Sequence, residues 1–275
     1  MLPATTKALS SDVVNILYVV KVLCHIPREK SIIRKEIRDK YRIFNNCISI
    51  RRWNMSKKNS TRSGCRDVFH SYLVSEANYD GELEIPVLLP IDKLPNRLIS
   101  FSKAMETDDY DQWVHFYEDD GGFERVWNRP RYYLPKLKQF RGVITPDFSL
   151  YRDMPLVMQQ WNTYRGKALG HWWQTQGLTV IPNVRTADAR SFRFSCYGVP
   201  KNAPICIGTH GCLRIRKDRD LFKAGLSYVI NELRPSYIVI YGAVPEDILE
   251  ICSRGNVKVL QFSSEFALSR KGVDA

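Results

Sequence analysis

From residue 85 onward, short apolar runs alternate with longer stretches of helical periodicity, and this alternation constrains the fold most. The runs are WVHFYEDD (113–120), RGVITPD (141–147), LTVIPNV (178–184), PICIGTHG (204–211), SYIVIYG (236–242) and VKVLQF (257–262). NRLISF (96–101) adds a strand candidate ahead of them, and SFRFSCYG (191–198) fits either a strand or a short helix. Helical spacing marks 123–140, 155–177, 218–234 and 245–255. The first of these is expected to break near Pro130 and Pro135. Pro155 suits the first turn of the second and Gly177 the position just past its end. Such alternation predicts parallel strands joined by right-handed crossovers. Continuously apolar runs suit strands covered on both faces. With so many units in series, a TIM-like (β/α) barrel, complete or incomplete, is preferred to an open doubly wound parallel sheet.

No G-x-G-x-x-G opens a helix, and no G-x-x-x-x-G-K-[ST] phosphate loop is present. The functional reading therefore falls on the strand ends, because both architectures place ligands beyond the carboxyl ends of their strands. Those ends read Glu118–Asp119–Asp120, Asp147 with Ser149, Asn183 with Arg185, Thr209–His210, Tyr241, and Ser263–Ser264–Glu265.

Asp147 is the leading candidate. Pro146 keeps Thr145 extended, which carries the carboxylate to the mouth as a general base or metal ligand. His210, among small residues, is the candidate proton carrier, although a loop histidine is also an ordinary structural residue. Glu118 and Asp120 with Asp147 offer hard oxygen ligands for a divalent cation; equally, 118–120 is a solvated acidic turn. Asn183 and Arg185 are candidate substrate contacts, as is Arg152, while Asn183 also fits a turn and Arg152 a surface ion pair. Asp153 is read as the N-cap of the helix at 155–177. Trp161, Trp172 and Trp173 are read as core rather than as base-stacking aromatics.

The formal charge of +12 over 275 residues favours an acidic partner such as nucleic acid or a nucleotide. The charge is uneven, however. Residues 1–54 carry 11 Lys/Arg against 4 Asp/Glu, and residues 55–275 carry 30 against 25, so the main body is only mildly basic. Residues 1–54 read as a basic extension upstream of an initiator at Met55, or as a basic helical hairpin that binds nucleic acid. A polar lead-in (55–84) and one α/β domain (85–275) follow. Seven scattered Cys without C-x-x-C spacing fit a reduced, cytoplasmic setting. The most apolar early segment (12–26) is too short and too interrupted to span a bilayer, so no membrane partner is expected.

The block FRGVITPDFSLYRDMPLVMQQWNTYR, followed by GHWWQ, VIPNVR, IGTHG and YIVIYG, resembles the domain of unknown function 4417 family. GCRDVFHSYLV, LPNRLISFSKAM and QWVHFYEDD carry the same resemblance, which runs from about residue 64 to the C-terminus. It implies a protein of a phage, plasmid or other bacterial mobile element, and it carries over no catalytic residue. Two readings follow. One is an enzyme acting on a nucleotide, nucleic acid or other phosphorylated substrate at the barrel mouth. The other is a non-catalytic module binding nucleic acid or protein in element replication or host interaction.

Overall fold

The computed structural model describes residues 67–265 and residue 267, all within the compact unit spanning Arg51–Ala275. The expectations for residues 1–66 lie outside the described residues. A short antiparallel pair, β1 (Tyr79–Asp80) and β2 (Ile85–Pro86), comes first. Then β3 (Leu98–Ser100), β4 (Trp113–His115), β5 (Gly142–Ile144) and β6 (Val180–Ile181) form a parallel sheet in that order. A second parallel sheet holds β7 (Ile205–Gly208), β8 (Tyr237–Tyr241) and β9 (Lys258–Phe262), also in order. A single bridge, Asn183 to Cys206, joins the two ladders. It is held by Cys206 N–H to Pro182 O and Val184 N–H to Cys206 O, both 2.9 Å. Among the described residues no ladder joins β9 to β3.

Among the described residues seven α-helices are interleaved: α1 (Phe101–Ala104), α2 (Asp120–Asn128), α3 (Pro130–Leu137), α4 (Leu156–Thr175), α5 (Ala189–Ser195), α6 (Arg216–Leu233) and α7 (Glu246–Arg254). Side chains alternate across each strand, so neighbours in sequence enter different cores. Val114, Val143 and Val180 pack outward with Phe123, Leu169 and Trp173. Ile207 and Ile240 pack with Leu226 of α6 and Ile248 of α7. The opposite faces meet one another. Leu98, Trp113, Ile144, Ile181, Cys206, Val239 and Leu260, one from each of the seven parallel strands, share a single cluster. The twofold coverage expected from continuous apolar runs is therefore met in β4 to β8, whereas β9 is only partly covered.

The strands are shorter than their apolar runs because proline ends two of them. Thr145 N–H still donates to Ile181 O at 3.0 Å, but Pro146 has no N–H to continue the ladder. Pro182 does the same for β6. The segment 123–140 breaks at Arg129, whereas Pro135 lies inside α3. The segment 191–198 contains the end of helix α5, capped by Asp188, whose Oδ1 accepts from Arg190 N–H at 2.9 Å.

The expected cap of the long helix is overturned. Pro155 is the N-cap of α4 and Asp153 makes no cap hydrogen bond. Instead Gln159, fully buried, donates its side-chain N–H groups to Tyr151 O and Met154 O, both at 3.0 Å. This ties the turn before α4 from inside the helix. The other end follows expectation. Gly177 has φ +87°, and its N–H bonds to Gln174 O while Leu178 N–H bonds to Trp173 O, a left-handed helix terminus. Trp172 and Trp173 are core, as read; Trp161 is partly exposed and stacks on Tyr164. Among the described residues no helix is long and apolar enough to cross a membrane.

Candidate functional site

A cavity of about 660 Å³ opens beyond the carboxyl ends of β4, β5 and β7. Six of the seven residues singled out by sequence line it: Glu118, Asp120, Asp147, Arg152, Arg185 and His210. The seventh, Asn183, is buried behind the wall.

Asp147 lies at the cavity floor, 8% exposed. Its Oδ1 accepts from Asn183 Nδ2 and its Oδ2 from Arg185 Nη1, both at 2.7 Å. Asn183 is in turn fixed on every side. Its amide oxygen accepts from Tyr117 O–H at 2.9 Å, its N–H donates to Thr145 Oγ1 at 2.8 Å, and its carbonyl accepts from Lys167 Nζ at 2.7 Å. The two Pro-then-polar strand ends, Pro146–Asp147 and Pro182–Asn183, are thus direct partners. Gly208 makes room for Tyr117, since a Cβ there would lie 2.7 Å from the phenol ring. Tyr117 stacks on Tyr241 with ring centroids 5.0 Å apart.

Burial raises the Asp147 pKa above the usual carboxylate range, although the Arg185 charge and the Asn183 amide pull it down. Burial also drives Lys167 down to about 8. Arg185 Nε is buried without a partner among the described residues.

The rim is built differently. Asp120 accepts from Ser149 N–H at 3.1 Å and from Ser149 O–H at 2.8 Å. Glu118 Oε1 accepts from Ser102 N–H at 3.0 Å, in the first turn of α1. Arg152 pairs with Asp218 across the cavity wall. His210 is exposed, and its imidazole makes no hydrogen bond to the described residues. The described walls carry six carboxylates, adding Asp119, Asp153 and Asp218, against the two guanidinium groups of Arg152 and Arg185, each already paired. Among the described residues no group of three or more His, Cys, Asp or Glu has metal-holding geometry, so Glu118, Asp120 and Asp147 share a cavity without forming a ligand set.

Sequence reading missed Tyr117 and Lys167. A signal for Tyr117 was present: Trp113, His115 and Tyr117 alternate at period two, so all three face the same way. Lys167 had none, being one polar residue in a helix. His115 ends β4 and does not line this cavity.

With the site described, the chain can be placed. It belongs to the family described as domain of unknown function (DUF4417), which matches residues 77–263. It is similar to the Gene 1 protein of Mycobacterium phage L5, at 33% identity over 66% of this chain and 80% of that protein. The Gene 1 protein of Mycobacterium phage D29 is 33% identical over 66% of this chain and 68% of that protein. The family is therefore of phage type. No solved structure matches the chain.

Proposed function

We propose that the cavity is a binding and reaction site for a small polar molecule, at the mouth of an incomplete (β/α) barrel. The sequential order of seven parallel strands and their common inner cluster support the barrel. The observation that carries the functional reading is Asp147: a buried, charge-paired carboxylate at the floor of a cavity large enough for a small ligand. Asn183 and Arg185 hold it in one orientation, which suits a group that accepts a proton or a hydrogen bond from substrate. His210 at the rim is the second proton carrier. The surplus of carboxylates, with both guanidinium groups engaged, favours a ligand that presents donors, such as a nucleobase or an amine. Within the nucleotide class, recognition is then through the base rather than through phosphate.

The test is binding of guanosine, cytidine, spermidine and ATP to the wild-type chain and to Asp147→Asn, which keeps the shape and removes the charge. A donor-bearing probe should bind the wild type, lose about tenfold or more in the variant, and not be outcompeted by inorganic phosphate. Tight, steeply salt-dependent ATP binding that survives Asp147→Asn would overturn the reading.

A protein-binding role has one observation in its favour. Tyr151, Val157, Met158 and Trp161, at and before the start of α4, are all exposed apolar side chains. Substituting Val157 and Met158 with Ser should leave small-molecule binding intact while abolishing any partner capture.

A further inference from the structure

A second cavity, about 730 Å³, lies along the gap between β9 and β3. Leu98 and Ile99 line one side and Gln261 and Phe262 the other. Two rings reach it from the strand ends. His115 is 1% exposed, and its Nδ1 accepts from Tyr117 N–H at 3.1 Å. A ring nitrogen that accepts carries no proton, so the neutral imidazole holds its proton on Nε2. Neutrality follows from the surroundings, since burial and the nearby Lys103 charge push the His115 pKa down to about 3. Nε2–H has no acceptor among the described residues.

Tyr241 stands beside it, ring centroids 4.3 Å apart. Its hydroxyl oxygen accepts from Glu265 N–H at 3.1 Å, which leaves its own proton without an acceptor among the described residues. Two hydrogen-bond donors therefore line one cavity with no acceptor among the described residues. Donors at a cavity wall without a protein acceptor are left for water or a ligand, so their shared place is informative. Lys103 adds positive charge at the same wall, its Nζ 3.1 Å from Glu265 Oε2.

We infer that this cavity binds a small organic carboxylate, whose oxygens accept from His115 Nε2–H and Tyr241 O–H beside the Lys103 ammonium. Arg97, paired with Asp109, and Lys103, paired with Glu265, line the cavity with Glu106, so no cation among the described residues there is spare; a singly charged group held mainly by the two neutral donors fits there and a phosphate dianion does not. A metal ion is disfavoured as well, because one His115 nitrogen is engaged by backbone and the other is protonated. This site is separate from the Asp147 cavity. His115 and Tyr241 line only the second one, and Tyr117, which lines the first, stacks against both.

The experiment is a titration of the full chain, labelled with nitrogen-15, with sodium acetate, succinate or L-glutamate, following the His115 ring in long-range proton–nitrogen spectra. His115→Asn assigns the resonance by removing it. At least one carboxylate should shift Nε2–H saturably, inorganic phosphate should not, and Tyr241→Phe should weaken the binding about tenfold. The inference is overturned if none of the three moves the ring, if phosphate moves it as far, or if Tyr241→Phe binds equally well. The wild-type titration decides alone should the Phe variant not fold.

Discussion

The floor and the rim of the Asp147 cavity are made from the same residue type and behave as opposites. Asp147 is enclosed, and Asn183, which holds one of its oxygens, is itself fixed by Tyr117, Thr145 and Lys167, with Tyr117 set by Gly208 and Tyr241. Asp120 and Glu118 tie nearby loops to helix starts, and Asp153 makes no hydrogen bond among the described residues. Acids at strand ends are thus not equivalent. What separates them is whether the groups around the carboxylate can rearrange when it changes. At the floor the Asn183 amide cannot, and such fixity is what a positioned chemical group requires.

The contrast is sharpest in Asp147→Ala. This leaves the Arg185 charge and the Asn183 amide without their partner and should cost about 3–5 kcal/mol in urea unfolding. If it costs no more than Asp120→Ala, expected at about 1 kcal/mol, floor and rim are alike. A stability loss in Asp147→Ala is thus compatible with a functional Asp147, and only the isosteric Asn variant separates the roles.

Acid tests the same enclosure from the neighbouring ring. His115 titrates near 3 when folded and near 6.5 when unfolded, so the unfolded chain binds the extra proton between those values. Stability from this group is full above 6.5 and falls as pH drops, by about 3 kcal/mol at pH 4. Asp147, with its pKa raised, contributes in the opposite direction, so His115→Asn should flatten the acid limb of the wild-type profile.

Gly208→Ala pushes a methyl group against the Tyr117 ring and should cost about 1–3 kcal/mol. Tyr117→Phe leaves the Asn183 amide oxygen without its phenol donor and should cost about 1–3 kcal/mol, most of which Asn183→Ala should not add to in a double-mutant cycle. At the far end of the scale, Asp153→Ala should change stability by less than about 0.5 kcal/mol. A larger loss would give the rim a structural share that its geometry does not show.

Much of this is legible in the sequence. The alternation of apolar runs with helical periods yields parallel strands in sequential order. Reading the strand ends places Asp147, Asn183 and Arg185 as candidates, but their direct pairing is seen only in the structure. The rest depended on contacts distant in sequence. Nothing local says that Tyr117 donates to Asn183, 66 positions away, or that Lys167 reaches the Asn183 carbonyl from a helix. Asp153 was misread because a good capping residue stands in the right place. Gln159, one turn inside α4, does the tying instead, and a side chain acting backward from within a helix leaves no signature in the pattern. The second cavity was not legible at all, since His115 declares its tautomer only through the backbone N–H two residues on.

The lone bridge at Asn183 and Cys206 has a mechanical consequence. A four-strand ladder and a three-strand ladder joined by one rung should open as separate blocks in amide hydrogen exchange, with the slowest protons on each side keeping different time. Asn183 is at once that rung and the clamp on Asp147. A molecule that gripped Asp147 would pull the two blocks onto a single clock, so occupancy of the cavity would be legible as synchrony in strands that never touch it.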